Sequence, residues 1–192
     1  MAPVLSVLPD LGAALAAIAV GAWALPPVTA AFAGLLAALV AVVAAVDRRV
    51  FLIPDTAVVA LAVGGLALVA VEAGPDDRTP ALADALARGL LAGLLFWGLR
   101  AVHRLWRGVE GLGLGDVKLA AAGAPWLAWS SLAPVLELAV VAALIAVLIE
   151  AGRRRIGPQL DDMIPFGVFL APALWLGFLA ERTGLIDRLS PW

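Results

Sequence analysis

The sequence predicts an all-α, polytopic membrane protein, a helix bundle of six or seven transmembrane helices. Three observations carry that prediction. Hydrophobic residues make up 64% of the 192-residue chain and charged residues only 15%, whereas soluble domains are about a quarter charged. Mean hydropathy is +1.04. Long Ala/Leu/Val runs recur along the whole length, each near the ~20 residues that cross a ~30 Å hydrocarbon layer. The length suits a single membrane-embedded domain over residues 1–192.

The first expected span runs from Leu11 to Leu25. Ala22-Trp23-Ala24 mimics a signal-peptide cleavage site, but Asp10 stands where a basic n-region belongs, so the segment reads as a retained helix. Pro26-Pro27 breaks it. The second span covers Val28 to Val46 and ends in the polar Asp47-Arg48-Arg49. Pro54 and Asp55 open the third, which continues to Val71. The Gly-, Pro- and Asp-rich stretch from Glu72 to Pro80 is a solvated turn. A fourth span covers Leu82 to Val102, with Arg88 near its start, and a basic then Gly-rich segment follows from His103 to Asp116. The fifth, sixth and seventh spans run from Val117 to Trp129, Ala133 to Ile149 and Ile164 to Leu179.

Basic residues in short loops set orientation. Counting spans puts nine of the thirteen on one side: Arg48, Arg49, Arg100, Arg104, Arg107, Lys118 and Arg153 to Arg155. Arg78, Arg88, Arg182 and Arg188 are left for the other. The nine-residue side is expected to be cytoplasmic, and the N-terminus with it. Trp23, Trp126 and Trp129 are expected at the outer interface and Trp106 at the inner one. Gly89 and Gly93 read equally as a close helix crossing or as glycines in a loosely packed Ala-rich helix.

Several function classes fall away. A net charge of −2 and a pI near 5.3 carry no nucleic-acid footprint. No cysteine is present, which excludes disulfides, Cys-ligated zinc and thiol catalysis. With His103 the single histidine, a His-rich metal site is excluded too, and no metal or other cofactor is expected.

Acids near lipid are costly and therefore functional candidates. Asp47 and Asp116 bound apolar spans on the same expected side, close to the interface, where topology lets both reach one shallow pocket. Two carboxylates brought close cannot both ionise easily, so one holds a proton while the other acts as a base. An aspartic peptidase needs that arrangement. The structural alternative makes Asp47 a helix-end acid beside two arginines and Asp116 a helix N-cap. Asp55, after Pro54, suits the positive end of a helix dipole. Lys118 reads as an interfacial anchor or as a cation tuning Asp116, and His103 as an interfacial residue. Glu137 suggests a snorkelling or packing role without a mechanism. The alternating glycines of Gly111-Leu112-Gly113-Leu114-Gly115-Asp116 disfavour helix and let a backbone come close. A phosphate loop is a poor fit, since the Lys-Ser/Thr ending is missing.

These residues fall into three ordered motifs. Asp47 to Asp55 resembles the D-x5-[IL]-P-D stretch of bacterial type IV prepilin peptidases. Gly113 to Leu119 resembles their G-x-G-D-x-K-L motif, whose G-x-G-D core is shared with presenilin-like intramembrane aspartic proteases. Ile164-Pro165-Phe166-Gly167 resembles their [IL]-P-F-G-P box. The likeness covers roughly residues 28–180. It implies an aspartic peptidase domain in the bacterial inner membrane, with its active site facing the cytoplasm. The implied catalytic pair is Asp47 and Asp116, with Pro54, Asp55, Gly113, Gly115, Lys118, Pro165, Phe166 and Gly167 in supporting roles. The implied partners are the bilayer and a prepilin or pseudopilin cut after a Gly between a basic leader and a hydrophobic stem helix.

Two departures stand out. Val168 occupies the place of the box's final Pro, a change expected to loosen the last helix and to touch no catalytic residue. Bifunctional members carry an N-terminal part with Cys-x-x-C pairs that methylates the product, so the absence of cysteine implies a peptidase-only form. The competing classes are a non-enzymatic membrane protein whose acids carry protons and a protease of other stem helices.

Overall fold

The computed structural model describes residues 25–108, 111–154 and 165–185. Every regular element among them is helical: α1 (Pro27–Val50), α2 (Asp55–Glu72), α3 (Arg78–Arg107), α4 (Leu114–Gly123), α5 (Trp129–Arg154) and α6 (Gly167–Arg182), with a 3₁₀ turn at Ala124–Trp126. Four of them, α1, α2, α3 and α5, are long and apolar enough to cross a membrane. The protein is a multi-pass membrane helix bundle. The first expected span lies outside the described residues except for Leu25, and so do Trp23, Arg155, Ile164 and Arg188.

Pro27 sits in the first turn of α1, where its missing N–H is no loss. One stripe of this helix faces inward, through Ala33, Leu36, Ala37, Val40, Val43 and Asp47. Steps of three and four residues keep them on a single face. Phe51 ends α1 in the left-handed region at φ 54, and its N–H donates to the Asp47 carbonyl at 2.9 Å. A non-glycine residue rarely adopts that conformation, and here it ends the helix one turn after Asp47.

The fifth expected span is not one helix. The 10 residues of α4 rise only ~15 Å, half a hydrocarbon core. The 3₁₀ turn and an extended Leu127 (φ −117, ψ 152) complete the crossing. Irregular backbone at membrane depth survives only where protein covers it. Ala124, Trp126 and Leu127 are each no more than 2% exposed.

Trp126 is the main correction to the expected interfacial belt. It is a core residue, stacked edge-on against Phe32 and Phe178, with its indole N–H donating to the Leu61 carbonyl at 2.9 Å. Its ring fills a notch in mid-α2: a methyl group at Gly64 would lie 2.7 Å from Trp126 Cζ2, and one at Gly65 2.9 Å from Cδ1. Trp129 and Trp106, by contrast, are 47% and 88% exposed at opposite ends of the bundle. Gly89 and Gly93 prove to be a close crossing, since a methyl at either would press on Ala121 of α4.

Helix direction puts Arg48, Arg49, Arg104, Arg107, Lys118 and Arg153 at one end of the bundle and Arg78 and Arg182 at the other. Arg88, expected with the second group, lies instead within α3, buried and paired with Asp84. The second end is cross-linked by polar contacts. Glu72 accepts from Arg182 at 2.8 Å, Glu181 accepts from the Ala128 N–H and the Ser131 hydroxyl at 2.8 Å each, and Asp84 accepts from Trp129 Nε1 at 2.8 Å.

Candidate active site

Asp47 and Asp116 lie at the first end of the bundle, buried to 4% and 8% exposure. Their burial exceeds the near-interface setting expected of them. Asp47 continues the inward stripe of α1 one turn beyond Val43. Asp116 stands three residues after Gly113, the N-cap of α4, so the helix begins before the acid, and Asp116 is not itself the cap. Its carboxylate turns back to the Gly113 N–H, as the third residue of a capping box does. Gly115 lies inside the helix, although alternating glycines disfavour one. It lets Ile53 approach: a methyl there would lie 3.2 Å from Ile53 Cβ.

The third motif brings the two acids together. Pro165 and Phe166 lead into Gly167, the first residue of α6, whose N–H faces both carboxylates. The Val168 N–H donates to Asp47 Oδ2 at 3.1 Å. A helix N-terminus offers unpaired N–H groups and the positive end of the dipole, a natural seat for negative charge. A methyl group at Gly167 would fall 2.8 Å from Asp47 Oδ2 and 2.9 Å from Ile53 Cδ1, so only glycine permits this approach. The two aspartates are close enough for their charges to repel.

Val168 therefore differs from its expected role. Far from touching no site residue, it supplies a donor to Asp47, and a proline has no N–H to give. Lys118 has a partner that neither reading of it named. It pairs with Asp55 at 2.7 Å, tying the start of α4 to the start of α2. Pro54 is the N-cap of α2 and Asp55 its first-turn acid, as expected from the dipole.

Several supporting residues had escaped the sequence reading. Ile53 wedges between Gly115 and Gly167. Arg100 donates to the Leu112 carbonyl, and the His103 ring lies against Gly111 so tightly that a methyl there would sit 2.3 Å from it. Arg100 and His103, one helical turn apart on α3, brace the loop that delivers Asp116. Their i, i+3 spacing beside a glycine run was the available signal. Glu137 is exposed on α5, away from these groups. Among the described residues no cluster of His, Cys, Asp and Glu could hold a metal ion.

The arrangement is that of a membrane helix bundle with two aspartates, from separate helices, gathered at the N-terminus of a third. The sequence pattern of the type IV leader peptidase family matches residues 34–148, and the chain belongs to that family. It is 37% identical over 167 residues to a prepilin leader peptidase/N-methyltransferase of Burkholderia pseudomallei, covering 85% of this chain and 51% of that protein. It is 34% identical over 135 residues to the protein of the same description from Aeromonas salmonicida, covering 70% and 44%. To the leader peptidase HopD of Escherichia coli it is 35% identical over 140 residues, covering 73% and 84%. The chain thus spans about half the length of the peptidase/N-methyltransferases it matches. No solved structure matches it.

Proposed function

We propose that this protein is an aspartic endopeptidase that removes the basic leader of type IV prepilin or pseudopilin precursors at the cytoplasmic face of the bacterial inner membrane. The observation that carries the reading is the convergence of Asp47 and Asp116 on the Gly167 N–H. One carboxylate takes a proton from a water molecule as that water attacks the peptide carbonyl, while the protonated partner donates to the carbonyl oxygen. Collapse of the tetrahedral intermediate breaks the C–N bond, and a proton passes to the departing amine. Family membership and the names of the relatives support leader peptides as the substrate. The basic residues gathered at the carboxylate end support its facing the cytoplasm.

Co-expression with a candidate prepilin tests the reading. Asp47→Asn and Asp116→Asn each keep shape and remove the titrating group, so each is expected to abolish leader removal while the protein still inserts. The double variant should be no worse than either single one, because residues acting as a unit are not additive. Asp55→Asn is the control, expected to keep most activity. An active Asp47→Asn beside an inactive Asp55→Asn would make Asp55 the partner of Asp116 and break the assignment.

A further inference from the structure

Below the outer tie between Trp129 and Asp84, α3 and α5 diverge and leave an apolar groove of about 330 Å³. Leu95 of α3 and Ala133 and Leu136 of α5 form its walls, with Ala120 of α4 and Leu170 of α6 beneath. We propose that this groove seats the apolar membrane segment that continues the substrate beyond the scissile bond, an inference that rests on the leader-peptidase reading above.

Continuity with the carboxylates argues for that occupant. The inner end of the groove is Phe96, whose ring centroid lies 6.4 Å from that of Phe166. Phe166 immediately precedes Gly167, the residue whose N–H faces both acids. Ala120 is about one helical turn past Asp116, and Leu170 about one turn past Gly167. A chain held at the carboxylates and running toward the opposite end of the bundle therefore enters the groove directly. The lining is apolar throughout and has nothing with which to hold a basic leader. Its volume takes a few large side chains and not a whole helix, so the occupant lies along the mouth and inserts one face, as helices pack in membranes.

Photo-crosslinking separates this from the leader-peptidase reading. The probe is a synthetic peptide of basic leader, glycine and an apolar segment of about 20 residues, in vesicles of phosphatidylethanolamine and phosphatidylglycerol. p-Benzoylphenylalanine replaces Leu95 or Ala133 in the groove. Control positions are Leu94 and Leu138, 53% and 44% exposed but outside it. An Asp116→Asn background keeps the peptide whole. Groove positions are expected to capture the peptide about tenfold better than the controls, and a peptide without the apolar segment should not be captured. Equal capture at all four positions overturns the proposal and leaves the groove to lipid. Selective capture, with no cleavage of the same peptide by the unsubstituted protein, would uphold the groove and count against the leader-peptidase reading.

Discussion

Among single residues, Val168 has the sharpest consequence. Its N–H donates to Asp47, and hydrogen bonds to charged groups contribute roughly 1.5–3 kcal/mol. Val168→Pro deletes that donor at a first-turn position where proline is otherwise accepted. The variant is expected to fold and to cleave, with the acid limb of its pH–rate profile moved to higher pH because the ionised form has lost a partner. An unmoved limb would mean that the Gly167 N–H alone decides the charge. The unsubstituted protein should itself give a bell-shaped profile. Below the first proton loss the pair has no base, and above the second it has no acid, so the limbs belong to the pair and not to either residue. In the sequence, these two aspartates stood out through the resemblance of the three ordered motifs to those of the prepilin peptidases. The Val168 contact did not, because a backbone N–H leaves no side-chain signature.

Elements fail or hold by close contact. α4 is short and glycine-bearing, and its continuation depends on Trp126 filling the notch at Gly64 and Gly65 of α2. Gly65→Val would drive a branched side chain into the indole, and overpacking of this kind costs about 1–3 kcal/mol. A lowered midpoint of thermal unfolding in detergent, with insertion retained, is the expected outcome. An unchanged midpoint would show that the ring can shift aside. The second, third, fourth and sixth spans were readable from hydropathy because lipid demands long apolar runs. The helix, 3₁₀ turn and extended residue inside the fifth span were not. All three are equally apolar, and only the partners that cover the backbone distinguish them.

For the whole molecule, the division of basic residues between the two ends predicts topology. Single cysteines introduced at Arg49 and at Asp76, in a chain with no native thiol, should react differently with an impermeant thiol reagent on intact cells. Labelling is expected at position 76 and not at 49, and the reverse pattern would invert the map. The ion pair and hydrogen bonds at the outer end tie α1, α2, α3, α5 and α6 to one another across chain separations of 43 to 110 residues. Such ties are invisible in sequence because nothing local marks them.

The composite crossing also bears on how the protein is made. A stretch as short as α4, followed by a 3₁₀ turn and an extended residue, has too little uninterrupted helix to enter lipid alone. Much of its seat, however, is formed at Gly64, Gly65, Gly89 and Gly93 by α2 and α3, which leave the ribosome first. An ordered biogenesis is the expected consequence, with the earlier hairpin docked before residues 114–128 leave the translocon. Spoiling that seat would then flip the two helices that follow and yield a protein of correct length and wrong orientation.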